Sequence, residues 1–302
     1  MIIGGVPLLF GGVTAGAPAG TQKALFGYGN GPVSMTNLVS NTGVVSADTT
    51  GVGTARYGLA AAGYGTDKAI FGYGYTTARV SITNLVSNTG VVSTDTTGVG
   101  TVRYLLAAAG YGTDKAIFGY GNALAGVVSM TNLVSNTGVV STDTTGIGTA
   151  RYDLAAAGYG TDKAIFGYGV GPASMTNLVS NTGVVSADTT GVGTARNALA
   201  AAGYGTDKAL FGYGYNAGYL SVTNKVSNAG VVSTDTTGVG SARYALAAAG
   251  YGTDKAIFGY GVATGDVTVS MTNLVSNTGV VSADTTGVGT ARKYLAAAGY
   301  SL

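Results

Sequence analysis

The charged residues of this 302-residue chain recur at matching positions in six successive segments. Each segment contributes one arginine and one aspartate. The arginines are Arg56, Arg103, Arg151, Arg196, Arg243 and Arg292, and the aspartates are Asp48, Asp95, Asp143, Asp188, Asp235 and Asp284. They could line a channel or ligand with charge, or each guanidinium fork could bind a carboxylate as a structural link between units. Because a catalytic site needs different groups in different roles, the sixfold repetition favours the structural link between units.

The composition narrows the chemistry further. The chain has no Cys, His, Trp or Glu, and all thirteen acidic residues are Asp. It therefore lacks the commonest general base and the usual zinc ligands. We predict a protein that is not an enzyme and that has no cofactor and no metal site. With 9% charged residues and a net charge of +2, it also has no basic patch for nucleic acid.

The sequence that positions these residues is a repeat of about 47 residues. The anchor KA[IL]FGYG begins at Lys23, Lys68, Lys115, Lys163, Lys208 and Lys255. Between successive anchors runs a segment of the form S-[MIV]-T-N-[LK]-V-S-N-[TA]-G-V-V-S. Six such copies predict a modular fold built from one supersecondary unit.

Each copy divides into four predicted strands. In the second copy they are residues 59–64 (LAAAGY), 68–73 (KAIFGY), 80–87 (VSITNLVS) and 91–97 (VVSTDTT), with Gly- and Asn-containing turns at 65–67 and 88–90. Alanine favours helices, but this alanine-rich run is too short for a stable helix and ends at Gly. We therefore predict a strand there as well.

The two ends of the chain are out of phase with the repeat. No LAAAGY strand precedes the first anchor, whereas the last copy ends with that strand at residues 295–300. If the last strand completes the first copy, a ring closes and exposed sheet edges are paired. The predicted fold is all-β, a six-bladed β-propeller of four-stranded antiparallel blades over residues 20–302.

Residues 1–19 form a separate apolar segment. They include several glycines and no basic residue, and the apolar stretch is too short to span a bilayer. Two interpretations remain, a docking arm that attaches the protein to a partner and a cleaved export signal.

The repeat resembles the kelch-type propeller unit over about residues 20–302. In the second copy the matching stretches are ARYGLAAAGYGTDKAIFGYG and TNLVSNTGVVSTDTT. They contain an Arg that opens the inner strand, a hydrophobic second strand that ends in Gly, and an Asp on the outer strand. Gly72-Tyr73-Gly74 stands in place of a glycine pair, and Val91-Val92 in place of an outer-strand Trp. The resemblance implies a propeller that serves as a binding scaffold.

The copies differ mainly in the loop between the second and third strands and in the two residues after each repeated arginine. In an up-and-down blade both places lie on one face. Tyrosine and asparagine, which suit recognition surfaces, are frequent there, although loops also tolerate change for no functional reason. The candidate ligand-binding residues are Tyr57, Tyr75, Arg79, Tyr104, Asn122, Tyr152, Tyr215, Asn216, Tyr219, Tyr244, Asp266 and Tyr294.

These observations predict a non-enzymatic binding module of a virion or cell-surface appendage, and an extracellular or virion-associated location. Its expected partner is a surface glycan, or a protein in a larger assembly, with no nucleic acid and no membrane span. The alternative is a purely structural virion or filament subunit, such as a capsid decoration or tail component. A third interpretation is an enzyme with Asp and Tyr in a central channel.

Overall fold

A computed structural model describes residues 22–171 and 173–301. This part of the chain contains no helix, and all of its strand pairs are antiparallel. Repeat 1 contains β1 (Lys23–Gly29) and β2 (Val33–Val39). Repeat 2 contains β3 (Ala60–Tyr64), β4 (Lys68–Tyr75) and β5 (Arg79–Val86). Repeat 3 contains β6 (Arg103–Tyr104), β7 (Ala107–Tyr111), β8 (Lys115–Gly119), β9 (Asn122–Ala123), β10 (Gly126–Val127) and β11 (Thr131–Val134).

The second half of the chain follows the same order. Repeat 4 contains β12 (Ala155–Tyr159), β13 (Lys163–Gly167) and β14 (Thr176–Val179). Repeat 5 contains β15 (Ala200–Tyr204), β16 (Lys208–Tyr215) and β17 (Tyr219–Val226). Repeat 6 contains β18 (Arg243–Tyr244), β19 (Ala247–Tyr251), β20 (Lys255–Gly259), β21 (Val262–Ala263), β22 (Val267–Thr268) and β23 (Thr272–Val275), and β24 (Ala296–Tyr300) follows it. The alanine-rich segments are strands, as predicted.

Each repeat has one principal sheet of three strands. The inner strand has the sequence AAAGY, the middle strand contains the KA[IL]FG anchor, and the outer strand contains TN[LK]V. In repeat 1 the inner strand is β24, which pairs with β1 so that Tyr300 lies opposite Lys23. Two additional small sheets, β6-β9-β10 and β18-β21-β22, form in the loop regions of repeats 3 and 6. None of these described sheets closes on itself.

The predicted fourth strand of each unit is not a continuous strand. In repeat 2 it contributes only the isolated bridges Val86–Val92 and Thr83–Thr96. Between those bridges the Ser93 N–H still donates to the Leu85 carbonyl, and side chains make the other hydrogen bonds. The Ser93 hydroxyl accepts a hydrogen bond from the N–H of Leu85, and the Asn84 amide donates to the Ser93 carbonyl. The sheets therefore have three strands rather than the four that the sequence predicted.

The hydrophobic core lies between neighbouring repeats. The cluster between repeats 2 and 3 packs the small inner-strand residues Ala60 and Ala62 and the aromatic Tyr73 against Leu106 and Phe118. Equivalent clusters lie between the other neighbours, including repeats 6 and 1. The packing that positions any surface site is therefore shared between two repeats rather than contained in one.

The repeats also contact one another in a fixed order. At the N-terminal end of the inner strands, the N–H of Leu105 donates to the carbonyl of Gly58, and the N–H of Asp153 donates to the carbonyl of Leu105. The series continues through Ala198 and Ala245 to Tyr294, whose carbonyl accepts from the N–H of Gly58. These bonds of 2.7–2.9 Å thus return to the residue at which they begin.

Candidate recognition site

The repeated arginines are buried and are fully used within the fold. In repeat 2, Arg56 Nη2 donates to Asn84 Oδ1 (2.6 Å), Nε donates to the Tyr73 carbonyl (2.8 Å) and Nη1 donates to the Thr54 carbonyl (3.0 Å). The sequence suggested a direct, bidentate Arg–Asp hydrogen bond. Instead Arg56 Nη1 lies 3.9 Å from Asp95 Oδ1, and the six pairs range from 3.6 to 3.9 Å. The Asn side chain links the two charged groups, because its amide group donates in turn to the aspartate.

The aspartate of this network holds the connection between two repeats. Asp95 accepts hydrogen bonds from the N–H and the hydroxyl of Thr54, which lies on the segment that leads from repeat 1 into repeat 2. It also accepts one from Asn84 Nδ2 at 2.9 Å. Burial by itself would raise the pKa of Asp95, but the hydrogen bonds from Thr54 and Asn84 outweigh it and lower the pKa. These aspartates are structural acceptors.

Each repeated arginine also contacts the preceding repeat. The Arg56 guanidinium lies 4.4 Å from the ring centre of Tyr28, and the six equivalent distances range from 4.3 to 4.6 Å. Tyr28 in turn packs edge-on against Phe71 of repeat 2, with ring centres 5.0 Å apart. Burial raises the pKa of Tyr28 and lowers the pKa of Arg56. The tyrosines of the middle strands therefore pack between repeats and do not form a stacking surface for ligands.

The C-terminal end of the inner strands, which we call the lysine end, has nearly the same residues in all six repeats. Lys68, Lys115, Lys163, Lys208 and Lys255 each form an ion pair of 2.7–2.9 Å with the preceding aspartate. In repeat 1 the aspartate is replaced by Gln22. A cavity of about 300 Å³ at this end is lined by the glycines, tyrosines and lysines of successive repeats. Its cations are largely neutralised by their own partners.

The opposite, variable end carries most of the candidate ligand-binding residues. One group, the Arg79 patch, consists of Tyr57, Tyr75, Arg79, Tyr104 and Asn122. The rings of Tyr57 and Tyr75 are 5.5 Å apart, and those of Tyr75 and Tyr104 are 5.3 Å apart. Arg79 lies over the Tyr104 ring at 5.1 Å and donates from Nη2 to Asn122 Oδ1 at 3.1 Å. Residues from repeats 2 and 3 thus form one aromatic surface with a cation.

A second group, the Asp266 patch, lies three repeats further along and consists of Tyr215, Tyr219, Tyr244 and Asp266. The three tyrosine rings are 5.5–5.8 Å apart. The Tyr219 hydroxyl donates to Asp266 Oδ1 at 2.6 Å, and this hydrogen bond raises the pKa of Tyr219. The patch has the same tyrosine framework as the Arg79 patch, but an acid takes the place of the cation.

The remaining candidates are less closely associated. Tyr294 joins the Arg79 patch at its edge, with its ring centre 6.5 Å from that of Tyr57. Tyr152 makes no ring contact with the other described tyrosines, and its carbonyl accepts a hydrogen bond from the N–H of Val170. Asn216 is exposed at a hairpin tip, where its N–H donates to the Gly218 carbonyl. The structure therefore gathers nine of the twelve candidates into two patches and places Tyr294 at the edge of one.

A small depression of about 70 Å³ lies between the patches at the centre of the variable end. Its upper ring is the hydrogen-bonded series described above, namely Gly58, Leu105, Asp153, Ala198, Ala245 and Tyr294. Its floor is formed by leucines at the start of the inner strands, namely Leu59, Leu106, Leu154, Leu199, Leu246 and Leu295. Burial in this apolar surrounding raises the pKa of Asp153 to about 7.

Asp153 is the residue that sequence reasoning missed as a candidate. The sequence does contain a signal for it. Eleven of the thirteen aspartates belong to the two repeated sets, and the other two are Asp153 and Asp266. Both of these unrepeated acids lie at the variable end. The unrepeated acids therefore lie on the same side of the molecule.

The chain matches no family model and no curated protein. Within residues 22–171 and 173–301, no helix is long and apolar enough to cross a membrane. The same residues contain no group of three or more acids that could hold a metal ion. The predicted arm at residues 1–19 lies outside the described residues.

Proposed function

We propose that the chain is a kelch-like, six-bladed β-propeller in which each repeat is one blade and β24 completes the first. The pairing of β24 with β1, the cyclic order of the hydrogen bonds from Gly58 to Tyr294, and the shared core clusters support this architecture. In such a disc the variable end and the lysine end are the two opposite faces.

The function we propose is non-enzymatic recognition of a surface ligand, such as a glycan, by the variable end. The observation that carries this proposal is the collection of unrepeated residues into two tyrosine patches on one side of an otherwise repetitive molecule. Tyrosine supplies large, rigid and amphipathic contact area at low entropic cost. The repeated Arg, Asn and Asp side chains, in contrast, already have partners within the fold.

The same proposal places the protein on a virion or a cell surface, as part of an appendage. Its low charge, its many Gly, Thr, Ser and Asn residues and the lack of Cys suit a rigid exposed module. The six-blade scaffold would then hold the two patches at a fixed separation, so that one extended ligand or two copies of a ligand could bind together.

A glycan array with the purified chain tests this function. Variants Tyr75→Ala and Tyr215→Ala each remove one patch, and Lys115→Ala at the lysine end is the matched control. We expect specific glycans to bind, each patch variant to weaken that binding, and Lys115→Ala to retain it. Binding that depends on Lys115 and not on either tyrosine would contradict the proposal.

A second candidate function, a purely structural virion or filament subunit, is favoured by one observation. The valines at Val44, Val91, Val139, Val184, Val231 and Val280 are 61–67% exposed, one in each repeat. Such a repeated apolar set suits lateral contacts between proteins. No array binding, together with assembly that the Val91→Thr and Val231→Thr substitutions prevent, would favour this candidate.

A further inference from the structure

The main chain of Asp153 is hydrogen-bonded in the ring described above, but its carboxyl group has no hydrogen bond or ion pair with any residue that the structure describes. The other aspartates of the described chain all have such partners, including the exposed Asp266. Asp153 is half-buried, and a carboxylate that loses part of its water without gaining a partner is costly to maintain. Such groups are concentrated at functional sites, where the missing partner is a ligand.

The conformation of the chain does not explain the acid. Asp153 has φ of 54°, and the equivalent residues Gly58, Ala198 and Ala245 have left-handed φ values of 61°, 48° and 53°. Aspartate tolerates this region, but so do glycine and asparagine, which bring no charge. Leu105 and Tyr294, at the same position of other repeats, have φ values of 55° and 53°, so backbone geometry does not require a carboxylate here.

The surroundings of Asp153 favour a cationic ligand. The depression has an apolar floor, and Tyr294 lies on the opposite side of its rim. Burial raises the pKa of Tyr294, and the charges of Asp153, Tyr244, Tyr104 and Tyr57 raise it further. Desolvation acts alone on the pKa of Asp153, so no cation among the described residues compensates its charge. The pocket thus combines one acid, Asp153, with one electron-rich aromatic ring, that of Tyr294.

We propose that this depression, which we call the Asp153 pocket, binds a single alkylammonium group of the ligand. This proposal rests on the proposed recognition function, and it names the chemical class of the ligand group that binds at the centre of the variable end. The carboxylate pairs with the cation, Tyr294 faces it across the rim, and the small volume excludes anything larger than one such head group. The tyrosine patches then contact the rest of the ligand.

Ligand-observed NMR titrations with defined probes test the proposal. Choline is compared with its neutral isostere 3,3-dimethylbutan-1-ol, and glucosamine is compared with N-acetylglucosamine. At pH 7, where the amine of glucosamine is still largely protonated, we expect at least one of the cations to bind about tenfold more tightly than its neutral counterpart. Preferential binding of choline alone would indicate that the ligand carries a quaternary ammonium group. Preferential binding of glucosamine alone would indicate an amino sugar. Equal binding within both pairs overturns the proposal.

The variant Asp153→Asn keeps the shape and the left-handed conformation while removing the charge. It should weaken binding of the cation about tenfold, whereas the control variant Asp114→Asn, at the lysine end, should leave it within about twofold. Unchanged affinity in Asp153→Asn overturns the proposal. If glycan binding on the array is unaffected by Asp153→Asn, the recognition function stands without the cation proposal. If the cation binds but no glycan on the array does, the cation proposal stands without the glycan-recognition function.

The pH dependence of the wild-type chain is a test that needs no variant. Because a bound cation stabilises the ionised carboxylate, the affinity for choline, which is charged at every pH, should rise with pH and level off above the pKa of Asp153, about 7. The other titratable groups around the pocket are Tyr57, Tyr104, Tyr244 and Tyr294, with Tyr152 and Lys293 adjacent in the chain, and burial raises the pKa of Tyr57, Tyr244 and Tyr294 above the range of this experiment. Cation affinity that is flat from pH 5.5 to 8 overturns the proposal.

Discussion

Arg292 Nε donates a hydrogen bond of 2.8 Å to the main-chain carbonyl of Tyr28, which precedes it by 264 residues. The same guanidinium lies over the Tyr260 ring of repeat 6 at 4.4 Å. One buried side chain thus joins the last repeat to the first. The contacts at this junction are the same as those between repeats that are adjacent in the sequence.

Removing β24 (Ala296–Tyr300) should therefore destabilise the whole molecule rather than only its end. The deletion exposes the edge of β1 and removes the residues of β24 that pack in the core cluster shared with repeat 2. We expect a lower melting temperature and self-association, measured by calorimetry and light scattering. A synthetic peptide of residues 290–302, added in trans, should restore part of the stability. A deletion variant that melts like the full chain would contradict the proposed closed ring.

Asn84 should contribute more to stability than its neutral side chain suggests. It is fully buried and connects Arg56 to Asp95, so Asn84→Ala leaves a buried guanidinium and a carboxylate without their shared partner. We expect a loss of about 3 kcal/mol in the free energy of unfolding, measured by denaturant titration. The control Asn216→Ala, at an exposed hairpin tip, should change that free energy by less than about 0.5 kcal/mol.

The repetition of the sequence made much of the fold predictable. Six anchors with equal surroundings predicted an all-β modular chain, and the alanine-rich segments are strands as expected. The phase of the chain ends predicted a partner for the first anchor, and β24 pairs with β1 accordingly. These features depend on hydrophobic pattern and turn residues, which are local properties of the sequence.

The details that the sequence did not reveal depend on side chains that meet across repeats. Nothing in the spacing of Arg56 and Asp95 indicated that Asn84 would lie between them, because the three residues come from separate segments. The fourth strand was predicted where Ser93 and Asn84 interrupt the backbone ladder. The sequence grouped the variable residues by loop, whereas the position of Asp153 depends on a ring of hydrogen bonds from six repeats.

Gly72 should be intolerant of even a methyl group. A Cβ placed there would lie 2.6 Å from the ring of Phe118 in the next repeat, so Gly72→Ala forces the inter-repeat core apart. We expect a loss of about 2 kcal/mol in unfolding free energy by chemical denaturation. Gly218→Ala is the matched control, because a Cβ at Gly218 meets nothing within 4 Å. Equal stability of the two variants would contradict the close packing of neighbouring repeats.

The two kinds of aspartate should give opposite dependences of stability on pH. Asp95 and its equivalents have lowered pKa values in the fold, so the stability they contribute is present above pH 4 and is lost as pH falls through the folded-state pKa. Asp153 has a raised pKa of about 7, so the folded state binds its proton more tightly than the unfolded chain. Its contribution therefore declines as pH rises from about 4 to about 7.

Asp153→Asn isolates the second effect. At pH 8 the variant should be more stable than the wild-type chain by on the order of 2 kcal/mol, because it avoids placing a charge in the apolar depression. The difference should shrink to about 0.5 kcal/mol or less near pH 4, where Asp153 is protonated in the folded state and about half protonated in the unfolded chain. Denaturant titrations of both proteins at pH 4, 6 and 8 measure this difference, with Asp266→Asn as the exposed control. A stability difference that is the same at all three pH values would mean that the carboxylate of Asp153 is not desolvated.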